Sequence, residues 1–257
     1  MKLLFMGTGT SYGIPVPGCE CPVCTSSDPR DRRLRTSILI AATDGTVLLL
    51  DTPPDLRTQC LRYGVKRIDG VLISHDHADH VFGFDDLRAY TNRMAAPMPV
   101  WLSPRNADSL RRIFDYLGRP PLPGTSLARV ELHEVTGPFT FGPFAITPLP
   151  VEHGRSEMTG WRIEADGKTC VLVTDCKRIP ETTWPLCLGA DLAVLDGLRP
   201  ELHATHLSIP QAGELLRRMG AERSFIIHMC HAASQVAADA LLPEDIHPAY
   251  DGLEIRL

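Results

Sequence analysis

The sequence has no uninterrupted apolar run of the roughly 20 residues that a membrane-spanning helix requires. Its first apolar segment, Met1–Met6, is too short for a secretory signal or a membrane anchor, so we expect a soluble cytoplasmic protein. It also lacks an excess of positive charge, because 26 Lys and Arg stand against 31 Asp and Glu, for a net charge of −5. We therefore expect no broad nucleic-acid-binding surface, although a local basic patch is compatible with this balance.

No internal repeat or low-complexity segment interrupts the 257 residues, and 44% hydrophobic content is enough for a sizeable core. We expect one domain over 1–257. A glycine-rich turn, Gly7–Gly13, follows a short apolar strand but lacks the Gly-x-Gly-x-x-Gly spacing and the helix of a dinucleotide site. The glycines instead predict a tight turn that passes close to a functional site.

One short stretch is rich in potential metal ligands. Residues 74–80 read Ser-His-Asp-His-Ala-Asp-His and directly follow an apolar strand. Imidazoles and carboxylates together bind zinc, manganese or iron. His75 and His77 are two apart and can reach one ion, whereas Asp79 and His80 lie further along the turn and can reach a second. The stretch predicts a two-metal site, with a solvated polar loop as the alternative.

The spacing His75-x-His77-x-Asp79-His80 resembles the signature of the metallo-β-lactamase superfamily. The resemblance implies an α/β fold, the αβ/βα four-layer sandwich, in which two mixed sheets pack face to face with helices outside. It also implies a site at one edge, where strands of both halves end. We expect two divalent ions there, and the ligand types suit Zn, Mn or Fe.

Three further residues complete the predicted ligand set, and each directly follows an apolar strand. We assign His153 to the first ion, His228 to the second, and Asp175 as the carboxylate between both. Taken singly, each would more often be an ordinary polar residue. Together with the motif they are favoured as ligands, and each lies where the resembled superfamily places one.

Eight cysteines are present, and a cytoplasmic protein is not expected to hold them as a disulfide framework. Cys19, Cys21 and Cys24 fall in a Cys-x-Cys-x-x-Cys loop, at about 15–36, and supply three thiolates for a zinc tetrahedron. The histidine three residues past the last catalytic ligand, His231, can point away from the catalytic ions and complete the fourth corner. We predict a structural zinc that fastens this loop to the edge of the site, with free thiols as the alternative.

The glycine turn, the cysteine loop and the final His-x-x-His together resemble the PhnP-like subfamily, phosphoribosyl 1,2-cyclic phosphate phosphodiesterases, over nearly the whole chain. The resemblance implies that His206 faces the substrate across the metals as general acid, with His203 as the weaker contender. Asp79 is counted with His206 among the catalytic residues. Arg155 is a candidate for contact with a phosphate oxygen. For His206, the alternative is a polar residue near a helix start with no catalytic part.

The function implied by the resemblance is metal-dependent hydrolysis of a small cyclic phosphodiester, phosphoribosyl 1,2-cyclic phosphate, by a metal-bridging hydroxide. One alternative is another hydrolase of this fold: an RNA phosphodiesterase, a thioesterase or a lactonase. The other is a non-catalytic protein akin to the pyrroloquinoline quinone biosynthesis protein. The expected partner is a small phosphorylated substrate; a homodimer is compatible with the sequence, whereas membrane and nucleic acid are not expected.

Hydropathy and turn residues predict the elements around the site. Asp51, at a strand end, is a candidate to support a metal ligand or, equally, to cap a helix. The arginine-rich stretch 30–35 predicts a solvated loop, with contact to an anion as the alternative. The expected elements are a hairpin of strands 37–42 and 46–50 and helices over 53–63, 81–92, 104–117 (ended by Gly118) and 209–219.

Overall fold

The computed structural model describes residues 1–117, 119 and 124–257 of the chain. Within them, fourteen strands form two seven-stranded mixed sheets. The first has the order β14-β1-β2-β3-β4-β5-β6, antiparallel from β14 to β3 and parallel from β3 to β6. Its strands are β1 Lys2–Gly7, β2 Ser37–Ala41, β3 Val47–Leu50, β4 Gly70–Leu72, β5 Met98–Leu102, β6 Val130–Glu134 and β14 Glu254–Arg256.

The second sheet has the order β13-β12-β11-β10-β9-β8-β7. It is antiparallel from β7 to β10 and parallel from β10 to β13. Parallel neighbouring strands need crossover connections, and these connecting segments run over the outer face of the sheet. Its strands are β7 Phe139–Phe141, β8 Phe144–His153, β9 Ser156–Ala165, β10 Lys168–Val173, β11 Leu192–Asp196, β12 Arg223–Ile227 and β13 Ile246–Pro248.

Helices lie on the outside of both sheets. Three 3₁₀ turns, at Pro29–Asp31, Phe84–Leu87 and Trp184–Cys187, supplement the α-helices of the described residues. None of the helices in this described part has the length and apolarity needed to span a bilayer. The α-helices are α1 Leu56–Arg62, α2 Ala78–Val81, α3 Arg88–Thr91, α4 Pro104–Ile113, α5 Ile209–Met219 and α6 Gln235–Asp239.

Three layers of buried side chains separate the elements. The central layer joins both sheets and includes Phe5, Ile40, Trp161 and Leu172, all essentially inaccessible to solvent. A second layer packs α5 against the second sheet, and a third packs α1 and α4 against the first. This helix–sheet–sheet–helix order confirms the predicted αβ/βα four-layer sandwich.

The predicted hairpin is confirmed as β2 and β3, with Gly45 at φ 87° in the turn. The helix over 209–219 is also confirmed as α5, because Ser208 and Gln211 form a capping box at its start and Gly220, at φ 65°, ends it. The helix expected over 53–63 is shorter, at Leu56–Arg62.

The single helix predicted over 81–92 is wrong. The segment breaks into α2, a 3₁₀ turn and α3, because the backbone at Gly83 packs directly against Pro53. A Cβ at Gly83 would lie 2.0 Å from the Pro53 carbonyl oxygen, and the Gly83 amide donates to Thr52 O at 2.9 Å. The helix expected over 104–117 ends at Ile113, and Gly118 lies outside the described residues.

The arginine-rich stretch is not uniformly solvated, which corrects the expectation for Arg33. Its guanidinium is 1% exposed and donates to Thr8 Oγ1 at 2.7 Å, Gln235 Oε1 at 2.6 Å and Ala249 O at 2.5 Å. Burial lowers the pKa of Arg33 to about 10, so it stays charged at neutral pH. Arg33 therefore anchors the end of the cysteine-rich loop to α6 and to the residues that follow β1 and β13.

Candidate metal centre

The histidine-rich loop meets strand ends of the second sheet at one edge of the sandwich. It follows β4 and continues into α2. His153 is the last residue of β8, Asp175 comes two residues after β10, and His228 directly follows β12. β10 and β12 run parallel in the second sheet, so their carboxyl ends open on one edge, and the distances between the ligand atoms place the loop after β4, in the first sheet, at the same edge. All seven predicted ligands fall in the clusters found there.

The first cluster consists of His75, His77 and His153, with ring nitrogens within 4.8 Å of one another. His75 Nε2 lies 2.9 Å from His77 Nδ1. The second nitrogen of His77 contacts Ser156 Oγ at 2.7 Å, and His153 Nδ1 donates to Thr205 O at 2.9 Å. These outer contacts orient the rings and leave one nitrogen of each free to face the others.

The second cluster consists of Asp79, His80 and His228. His80 Nε2 lies 3.3 Å from Asp79 Oδ2 and 3.2 Å from Asp175 Oδ2. The other oxygen of Asp175 is 3.1 Å from His228 Nε2. Asp175 also groups with His75 and His80, so its carboxylate lies between the two clusters.

Polar side chains behind the clusters fix the ligand rings. Asp51 accepts from His80 Nδ1 at 2.7 Å and from the Ser74 amide at 2.7 Å, so the structure places it behind a candidate ligand and not at a helix cap. Thr36, which sequence reasoning missed, contacts His228 Nδ1 at 3.0 Å. Asp51 and His228 both have a positive φ, 62° and 64°, an uncommon backbone conformation that the surrounding structure must stabilise.

The buried charges of this region fit divalent cations. His80 Nε2 and Asp175 Oδ2 are buried and, although 3.2 Å apart, form no hydrogen bond with each other or with any other described residue. Burial raises the pKa of Asp175 to about 7 and lowers the pKa of His75 and His228 well below the usual value, which favours neutral imidazoles. Burial alone would also lower the pKa of His80, but its carboxylate neighbours raise it. Divalent ions would satisfy the unpaired atoms, and neutral imidazoles are the form that binds them.

His206 faces this centre and is held by a carboxylate that sequence reasoning missed. Asp196, fully buried at the end of β11, lies 2.8 Å from His206 Nδ1 and accepts from the Cys176 amide at 2.9 Å. Burial opposes protonation, but Asp196 raises the pKa of His206. The missed signal was an apolar strand ending in an aspartate, the same pattern that identified Asp175. The His206 ring lies 4.6 Å from that of His153.

A polar cavity of about 270 Å³ opens over the centre. Arg155, exposed in the turn between β8 and β9, lines it and has no ion pair with any described residue. His206 lines the cavity as well, whereas His203 is not among its lining residues and its Nδ1 contacts Thr205. The remaining lining residues include Thr10 and Ser11 of the glycine turn. The turn does pass close to the site.

The cysteine loop forms a separate cluster with His231. His231 Nδ1 lies 3.4 Å from the sulfurs of Cys19 and Cys21 and 3.5 Å from the sulfur of Cys24. The Cys24 amide donates to the Cys21 sulfur and lowers the pKa of Cys21 to about 6, whereas burial raises the pKa of Cys24 to about 11. Three sulfurs around one imidazole nitrogen fit a tetrahedral zinc site.

Comparison with known proteins shows which folds and sequences this chain is similar to. The Beta-lactamase superfamily domain model matches residues 46–229. A crystal structure described as a new diphosphatase from the PhnP family has a TM-score of 0.90 at 34% identity, covering 100% of this chain and 97% of that one. Zn(2+)-bound PqqB from Methylobacterium extorquens has a TM-score of 0.78 at 21% identity, with 100% of both chains covered, a likeness of fold.

Two curated proteins that are similar in sequence to this chain have names that describe different functions from each other. A protein named octanoyltransferase from Porphyromonas gingivalis is 37% identical, covering 99% of this chain and 51% of that protein. The chain therefore spans about half the length of this relative. Coenzyme PQQ synthesis protein B of Methylobacterium nodulans is 27% identical, covering 77% of this chain and 73% of that protein.

Proposed function

The chain belongs to the β-lactamase superfamily and, within it, to the PhnP family, and on that premise we propose that it is a hydrolase that uses two divalent metal ions. The main support is the carboxylate of Asp175, which lies between two clusters of candidate ligands and has a buried oxygen, 3.2 Å from His80 Nε2, that accepts no hydrogen bond. The proposed ligands are His75, His77 and His153 for one ion and Asp79, His80 and His228 for the other, with Asp175 shared.

When bound, two such ions supply an activated water molecule and stabilise negative charge that develops on oxygen. The residues of the chain provide the rest. Asp51 and Thr36 hold His80 and His228 in the orientation that leaves Nε2 of each ring directed at the centre. Asp79, proposed as a ligand, also lines the cavity and is therefore in reach of a bound substrate.

We assign the general acid to His206. Asp196 engages its Nδ1, so Nε2 is the ring nitrogen available to a substrate in the cavity that His206 lines. As water adds an oxygen to phosphorus and the bond to the leaving oxygen breaks, His206 Nε2 donates the proton that this oxygen needs. Lys177 donates to His203 O at 2.6 Å and so steadies the loop that bears His206. The position of this dyad in the wall of the cavity, where a proton donor would meet a substrate, supports a catalytic role.

The cavity favours a small phosphorylated substrate. Its volume of about 270 Å³ is close to the lower limit of common small-molecule pockets, roughly 300 Å³. Arg155 supplies an unpaired guanidinium at its edge, suited to a phosphate oxygen. We propose hydrolysis of a phosphorus–oxygen bond in a small cyclic phosphodiester, with phosphoribosyl 1,2-cyclic phosphate as the first candidate and small diphosphates as the second. The second rests on a PhnP-family relative described as a diphosphatase.

Transferase activity is not proposed, because the relative named octanoyltransferase is about twice as long as the matched region. The cysteine loop and His231 are proposed to bind a third, structural zinc ion that joins the N-terminal loop to the edge of the site.

The test is a substrate screen on metal-free protein reconstituted with zinc or manganese. Bis(p-nitrophenyl) phosphate, cyclic phosphates, diphosphates, thioesters and lactones would be compared. We expect metal-dependent hydrolysis of the phosphorus compounds and its loss in Asp175→Asn. Asp76→Asn is the matched control, because this carboxylate lies in the same loop but outside both clusters. Hydrolysis of thioesters or lactones alone would contradict the proposal.

A further inference from the structure

A second cleft, of about 430 Å³, lies between α1 and α3. It shares no lining residue with the cavity over the metal centre. Its walls come from α1, from the connection between α1 and β4, and from the segment that ends in α3.

The floor of the cleft is apolar. Leu56 and Cys60 are 1% and 8% exposed, and both belong to the core beneath α1. The Tyr90 hydroxyl donates to Val65 O at 3.1 Å, which fixes one wall to the other. Leu61 lies beside this floor with 66% of its surface exposed, a large apolar side chain that a bound apolar group would cover.

The rim of the cleft is cationic. Four basic side chains line it against one carboxylate, Asp86. Arg88 is paired with Asp85 at 3.0 Å. Arg57, Lys66 and Arg93 form no ion pair or side-chain hydrogen bond with any residue in the described part of the chain. Unpaired cations around an apolar hollow stand out in a chain whose net charge is −5.

We propose that this cleft binds a small amphiphilic anion. The carboxylate, phosphate or sulfonate group of the ligand lies at the rim, near Arg57, Lys66 and Arg93, where it stays partly hydrated. Its alkyl or aryl body covers Leu56 and Leu61. A guanidinium suits a planar or tetrahedral anion, and the volume falls within the roughly 300–1,000 Å³ of small-molecule pockets. The concave shape, with charges surrounding an apolar floor, favours a free small molecule over a membrane surface or a second copy of the chain.

The test uses 8-anilinonaphthalene-1-sulfonate, a fluorescent aryl sulfonate, titrated into the folded, metal-loaded protein. We expect one saturable site per chain, weakened by added NaCl because the charged contacts are exposed. Decanoate should displace the probe, whereas inorganic phosphate at equal concentration should not. Binding to the triple variant Arg57→Gln/Lys66→Gln/Arg93→Gln should be at least about tenfold weaker, since three exposed charge contacts are lost.

Two further variants locate the site. Ala89→Trp places a bulky ring in the cleft and should abolish binding with the cations retained. The control Arg32→Gln/Arg105→Gln/Arg217→Gln removes equal charge from exposed positions elsewhere and should bind as the wild type does. Circular dichroism establishes that each variant is folded.

Four results would overturn the proposal. In the first, both cleft variants bind the probe with unchanged affinity; in the second, inorganic phosphate displaces the probe as well as decanoate does. In the third, the protein binds only to anionic phosphatidylglycerol vesicles. In the fourth, the protein does not bind the probe and forms a dimer that the substitution Leu61→Glu dissociates.

Discussion

Replacing Asp196 by asparagine tests the assignment of His206 as general acid. The change keeps the shape of the side chain but removes the charge that holds His206 Nδ1 at 2.8 Å. The pair is buried, with 0% of the Asp196 side chain and 12% of the His206 side chain exposed, so solvent screens it weakly. A hydrogen bond to a charged group under such conditions contributes about 1.5–3 kcal/mol. The proton donation by His206 should therefore slow by roughly 10- to 150-fold.

The loss of kcat in Asp196→Asn should depend on the leaving group of the substrate. An alkoxide or sugar oxygen needs a proton as it leaves, so kcat for a cyclic phosphate should fall by the full factor. A p-nitrophenolate leaves without protonation, so kcat for bis(p-nitrophenyl) phosphate should fall by less than about threefold. Metal content, measured by elemental analysis, should not change.

A second aspartate–histidine pair provides the matched control. Asp239 lies 2.8 Å from His247 Nδ1, but both side chains are about half exposed, at 50% and 52%, and neither lines the cavity over the metal centre. Asp239→Asn should leave both substrates unaffected. Equal losses on both substrates in Asp196→Asn, or no loss on either, would refute the role of His206 as proton donor.

Three other changes test the remaining parts of the centre. Cys24→Ser should release one equivalent of zinc and destabilise the protein by about 2–4 kcal/mol, as the loss of a cross-link does, while the catalytic metals stay bound; retention of all zinc would argue against the cysteine site. Asp51→Asn should weaken metal binding roughly 10- to 100-fold, because His80 loses the partner that orients it. Metal titration measures this affinity, and an unchanged value would contradict the supporting role of Asp51. Arg155→Gln should raise KM for a cyclic phosphate about two- to fivefold with a smaller effect on kcat, the size expected for one exposed charge contact; an unchanged KM would remove this residue from substrate binding.

The fold was predicted from a family resemblance that short motifs carry, and it is confirmed; the candidate ligands were predicted from the same motifs together with the ends of apolar strands. The spacing of His75 and His80 is a property of one loop, and His153, Asp175 and His228 each lie at or just after the end of an apolar strand. Short-range turn chemistry likewise predicted the hairpin at Gly45 and the start of α5 at Ser208, and both are confirmed.

Contacts between distant segments were harder to predict. Thr36 meets His228 across 192 residues, and nothing in its local sequence marks it. Arg33 resembled its solvated neighbours because its partners lie up to 216 residues away. The helix predicted over 81–92 has suitable periodicity, but Gly83 packs against Pro53 and interrupts it. Asp196 did carry a local signal, but it lies outside the histidine motif and was read only as part of a strand.

Anomalous diffraction from crystals of the zinc-reconstituted protein tests the central claim most directly. We expect two catalytic peaks, one among His75, His77 and His153 and one beside His80 and His228, with Asp175 between them, and a third peak at the cysteine cluster. A single catalytic peak, or none, would contradict the two-metal centre.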